Sequence, residues 1–129
     1  MNQQLALSTL LVDDYDRAIA WYTDVLGFEL RADVAQGAGK RWVVVAPRGS
    51  QAGLVLALAT TAAQKELLGG QTGGRVSFFL HTDNFARDHA AMLARGVRFT
   101  EPPRQEPHGT VAIFTDLYGN TWDLLEPAP

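Results

Sequence analysis

The sequence predicts an α+β fold, two βαβββ modules forming a curved mixed sheet cup. Three observations predict it: the chain repeats itself, each repeat sets one helical stretch among β-rich runs, and the length suits one core. Slid by 69 residues, LSTLLVDDYDRAIAWYTDVLGFEL (Leu7 to Leu30) lies without a gap over VSFFLHTDNFARDHAAMLARGVRF (Val76 to Phe99). Ser8 falls on Ser77, Leu11 on Leu80, Asp14 on Asp83 and Gly27 on Gly96. Such self-similarity is read before any local propensity, because it sets the architecture.

In each copy a β-rich run, Leu7 to Val12 or Val76 to Leu80, meets an aspartate. A carboxylate there can accept the first free N–H groups of a helix. Ala18, Tyr22 and Val25 in copy one, and Phe85, His89 and Met92 in copy two, recur at helical spacing and give each helix one face for a sheet. Gly27 and Gly96 suit the left-handed position that ends a helix. β-rich runs then follow, Phe28 to Val34, Arg41 to Ala46 and Leu54 to Ala59, matched by Val97 to Thr100, Thr110 to Phe114 and Thr121 to Leu125. The turns PRGSQAG and DLYGN separate them, and Gly119 with Asn120 reads as a tight turn. By the last strand the offset has shrunk to 66, so Ala57 lies over Asp123. The single domain 1–129 thus divides into modules 1–60 and 75–129, joined by linker 61–74.

Composition excludes several partners. Of 129 residues 47% are hydrophobic, enough for one sizeable core, and the net charge of −3 offers no basic field for nucleic acid or anionic lipid. With no cysteine, disulfides and thiolate metal sites are absent. The start MNQQLALSTLLVDD has neither a positive n-region nor an unbroken apolar h-region, and no run approaches a membrane span. The expectation is a cytoplasmic protein without nucleic-acid or membrane partners.

The stretches VDDYDRAIAWYTDVLGFEL and FTDLYGNTWDLLEP resemble the signatures of the vicinal oxygen chelate superfamily, which includes glyoxalase I, extradiol dioxygenases, fosfomycin-resistance enzymes and bleomycin-resistance binding proteins. The resemblance covers nearly the whole chain. It implies a cup built from paired modules, a homodimer, and in the metalloenzymes four ligands, one each from the first and last strand of each module. Those positions fall on Leu7, Ala57, Val76 and Asp123, of which Asp123 alone offers a donor. A divalent ion needs several N or O ligands to replace its hydration, so the departure points to the metal-free, bleomycin-resistance-like branch, with no cofactor and no metal.

The expected ligand wall comprises Leu7, Thr9, Trp42, Val76, Phe78, His108, Thr121 and Asp123. Alternation from an inward Val76 also turns Phe78 and Leu80 inward and His81 outward. Asp123 and His108, the latter in the loop EPPRQEPHGT, are the candidates for acid and base work, since a desolvated carboxylate holds its proton more firmly. Arg41 reads as a solvated strand-end arginine, and Trp21 and Trp122 as core, Trp122 on the helix side. The function predicted is sequestration of a small planar or apolar molecule, an antibiotic among them. The same residues leave room for a lyase, isomerase or dioxygenase, metal-dependent or working through Asp123 and His108. They also leave room for an interaction module whose cup is filled by its own side chains.

Overall fold

Alternation within LSTLLV buries Leu10 and Val12 completely while Leu7 and Thr9 stay exposed, so the first strand has one face for a core and one left over. The computed structural model describes residues 1–129, which group into two units, Met1–Leu68 and Gly69–Pro129. Each unit carries one sheet that mixes parallel and antiparallel pairs, with a helix against it. The α+β expectation holds.

The first unit runs β1 (Leu7–Val12), α1 (Tyr15–Ala20), β2 (Glu29–Gly37), β3 (Lys40–Ala46), β4 (Gly53–Leu58) and the short α2 (Ala62–Glu66). Its sheet order is β1-β4-β3-β2, with β1 parallel to β4 and the other neighbours antiparallel. The Asp14 carboxylate caps α1 by accepting from Arg17 N at 2.9 Å. A π-helical turn, Trp21–Val25, extends α1. Tyr15, Ala18, Tyr22 and Leu26 are buried on this side with Leu54, Leu56, Val43 and Val45. Full burial of a side chain the size of Tyr22 contributes roughly 1.5–3 kcal/mol.

The second unit runs β5 (Phe78–His81), α3 (Phe85–Ala94), β6 (Arg98–Phe99), β7 (Arg104–Glu106), β8 (Gly109–Thr115) and β9 (Thr121–Pro127). Its path is β5-β9-β8-β6, and β7 also pairs with β8. Arg104–Glu106, expected as loop, is therefore a strand, and His108 sits in its tight connection to β8. Asn84, not Asp83, caps α3 by accepting from Arg87 N at 3.0 Å, while Asp83 pairs with the Arg87 guanidinium at 2.7 Å. Glu126 Oε1 accepts from Phe85 N at 2.7 Å, which ties the helix start to β9.

These caps correct the repeat. Tyr15 and Phe85 both open a helix and Tyr22 and Met92 are both buried, so the spacing is 70 residues through strand and helix, not 69. The π turn adds one residue to the first copy, with Leu26 N donating to Trp21 O at 2.9 Å, and restores 69 at Gly27 and Gly96. Both glycines have positive φ, 91° and 96°, as the helix ends require.

Candidate functional site

The one-residue correction turns β5 over. In register, Phe78 lies opposite Trp122, Phe79 opposite Asp123, Leu80 opposite Leu124 and His81 opposite Leu125. Phe78 thus belongs to the helix side, where its ring lies 4.7 Å from that of Trp122, which stacks on the buried Phe114 at 5.7 Å. Phe78 and Leu80 are not on the Asp123 face, and Phe79 and His81 are. Val76 lies before β5, two residues ahead of Phe78, and Ser77 occupies the position corresponding to Leu7. Trp122 faces the helix side as expected.

Asp123 sits mid-strand on the face away from α3, with Ile113 and Phe79 as its ladder neighbours. It is 8% exposed, and its Oδ1 is buried with no hydrogen-bond partner, His108 included. Burial raises its pKa above the ordinary carboxylate value; Arg104 pulls it back down, Glu101 raises it and His108 lowers it more weakly. Arg104 itself is held by Glu101 at 2.9 Å and Glu106 at 2.7 Å. Thr121, on the same face, donates its hydroxyl to Arg75 O at 3.1 Å. His108 is exposed in its turn, and its carbonyl accepts from Ala128 N.

In the first unit the face away from α1 is mostly hydrocarbon. Leu7, Thr9 and Leu11 line up with Gly53, Val55 and Ala57, and Val55 lies opposite Val44. Leu7 is 38% and Trp42 39% exposed. The β3–β4 ladder consists of Val44 with Val55 and Val45 with Leu54. Beyond it β3 reaches back to Lys40 beside β2, while β4 continues to Leu58 beside β1. In the gap where the strands part lies a cleft of about 570 Å³, within the roughly 300–1,000 Å³ range of small-molecule sites. Val55, Leu56, Ala57 and Leu58 supply apolar wall and Trp42 an aromatic one; Tyr15, Lys40, Arg41 and Gln64 reach it from the hairpin and helices.

Arg41 is not solvated as expected. Its guanidinium pairs with Asp33 at 2.7 Å and Asp16 at 3.0 Å and lies 5.0 Å from the centre of the Tyr15 ring. The Arg41 hydrogen bond holds Asp33 below the usual carboxylate range. Sequence reasoning missed Tyr15, Lys40 and Gln64 as cleft residues. No spacing rule marks where a ladder stops, and the signal within reach was the GAGK hairpin tip beside Trp42.

The four metal-ligand positions do not suit a divalent ion. Leu7 and Ala57 are hydrocarbon, and moving Val76 to its corrected equivalent supplies only Ser77, whose hydroxyl is hydrogen-bonded to that of Thr72 at 2.8 Å. Asp123 is flanked by Phe79 and Ile113, and no group of three or more His, Cys, Asp or Glu side chains is arranged to hold a metal. No helix is long and apolar enough to cross a membrane.

Residues 4–124 match the model of the Glyoxalase/Bleomycin resistance protein/Dioxygenase superfamily. A protein of Shewanella frigidimarina is 48% identical over 98% of this chain and 95% of its own. Among solved structures, UcmS2 superposes with a TM-score of 0.84 at 30% identity, covering 98% of this chain and 99% of its own. TnmS3, an antibiotic binding protein from Streptomyces sp. CB03234, superposes with a TM-score of 0.80 at 31% identity, covering 98% of each chain.

Proposed function

This chain belongs to the glyoxalase/bleomycin resistance protein/dioxygenase superfamily, and from that membership we propose that it is a metal-independent protein that sequesters a small planar or apolar molecule, in the manner of an antibiotic-binding relative. The observation that carries the reading is the donor set. Three of the four positions that would hold a metal are hydrocarbon or already engaged, and the fourth, Asp123, stands alone. Binding then comes from apolar walls, with a few polar groups fixing orientation. Asp123 is one such group, an acceptor with an unfilled oxygen that a ligand hydroxyl or amine can meet. A homodimer belongs to the same reading, supported by Leu7 standing exposed on the edge strand β1.

The test pairs elemental analysis of purified protein with calorimetric screening of planar antibiotics, with and without added divalent metal. Binding of a compound with metal below a tenth of stoichiometry is expected, unchanged by chelator. Stoichiometric metal that disappears in Asp123→Ala would sink the metal-independent reading. Catalysis by Asp123 and His108 finds less support, because no hydrogen bond joins them and His108 points into an exposed turn.

A further inference from the structure

Resting on that binding reading, we infer that the cleft between β3 and β4 takes a planar aromatic molecule carrying a carboxylate or phenolate, with Trp42 against its ring and Lys40 against its charge. The chain as a whole is acidic, yet no Asp or Glu lines this cleft. Gln36 and Thr60 can both donate and accept, while Tyr15 and Gln64 are set to donate. Tyr15 accepts from Arg41 N at 3.2 Å, which leaves its own O–H uncommitted in a side chain that is nine-tenths buried. Gln64 Oε1 is occupied by Thr60 N at 2.8 Å and Thr61 N at 3.3 Å, so the capping box leaves that amide its NH₂ to offer.

The two cations are not equivalent. Arg41 is neutralised by Asp33 and Asp16, whereas Lys40 makes no ion pair and supplies the uncompensated charge. Val55, Leu56, Ala57 and Leu58 offer the ring an apolar bed. A cleft with an unpaired ammonium, two free donors and no carboxylate favours a ligand that carries an anionic acceptor, and an amine there would meet a like charge.

Three probes with one ring system test this: 1-naphthoate, 1-naphthalenemethanol and 1-naphthylmethylammonium, titrated calorimetrically into the full chain. Naphthoate should bind about fivefold more tightly than the alcohol, the upper range for a solvent-exposed ion pair, and the ammonium most weakly. Lys40→Gln should erase the preference for the anion and leave the alcohol's affinity in place, while Trp42→Ala weakens all three. Arg48→Gln, which removes an exposed cation outside the cleft, should change none of them. Circular dichroism confirms that each variant folds. Equal binding of the three probes, lost in Trp42→Ala, would overturn the charge assignment while leaving the binding reading standing. Loss of binding in Asp123→Asn alone would move the ligand elsewhere and overturn the cleft assignment. No binding of any probe would overturn this inference, and failure of the antibiotic screen as well would remove the function it rests on.

Discussion

Asp123→Asn should stabilise the protein at neutral pH. Few carboxylates are tolerated mid-strand with hydrocarbon on both sides, and this one has an oxygen that nothing in the chain satisfies. An unsatisfied buried polar atom costs about 1–3 kcal/mol. Because burial raises its pKa, the folded state holds the proton more firmly than the unfolded chain does. Stability contributed by this group therefore falls as pH climbs from the ordinary carboxylate value through the raised one, and the full penalty stands above it. The asparagine variant keeps a buried amide but carries no charge, so the part of the penalty that the charge adds is absent. Urea denaturation at pH 7.5 should show it more stable by about 1 kcal/mol or more, with the gap closing towards pH 3 as the wild-type carboxyl protonates. An asparagine variant less stable than wild type at pH 7.5, or a difference independent of pH, would refute the reasoning. Either result would mean that the ionised carboxylate supports the fold and is not held ready for a ligand.

The corrected register makes neighbouring phenylalanines opposites. Phe78→Ala should cost roughly 2–4 kcal/mol through loss of the Trp122 contact, whereas Phe79→Ala, 62% exposed, should stay within about 0.5 kcal/mol; chemical denaturation reads both, and the reverse order would contradict the register. A Cβ on Gly109 would lie 2.1 Å from Glu126 O, while one on Gly39 meets nothing, so Gly109→Ala should lower the thermal midpoint clearly further than Gly39→Ala. Asp88 is held below the usual carboxylate range by its hydrogen bond to Arg87, with Thr82 assisting against partial burial. Its contribution is present above the unfolded-state pKa and lost as pH falls through the lowered value. Asp88→Asn should accordingly destabilise by less than about 1 kcal/mol at pH 7 and not at all near pH 2, measured by denaturation at both.

Much of the architecture was legible because both copies obey strong local rules. Helix ends at Gly27 and Gly96, the Asp14 cap and the turn at Gly119 follow from backbone sterics and unpaired N–H groups, which act over a few residues. Face assignment was less secure, since strand side chains alternate with period two and one extra residue inverts them. The π turn at Trp21–Val25 is such a residue. An ungapped overlay spreads its effect backwards, so Asp14 is matched to Asp83 instead of Asn84, and Leu7 to Val76 instead of Ser77. Alignment at the last strand kept its parity, which is why Asp123 and Trp122 were assigned to the correct faces while Phe78 was not. The cleft was the least legible part. It depends on where β3 and β4 stop pairing, a property of sheet twist and bulges beyond the reach of a local pattern.

That short β3–β4 ladder has a mechanical side. With two rungs holding β3 to β4, the hairpin of β2 and early β3 is a beam clamped at Val44 and Val45, pinned to α1 at Arg41 by Tyr15 and Asp16, and free only at its Gly37–Lys40 tip. Bending will concentrate at the clamp, and the strands on either side will tilt as stiff beams. Amide exchange should then be slow at Val45 and quicken past Arg41 towards the tip, and a guest wedged against Trp42 should act as a brace that slows it again. Measured residue by residue, that gradient would report occupancy without any knowledge of what the occupant is.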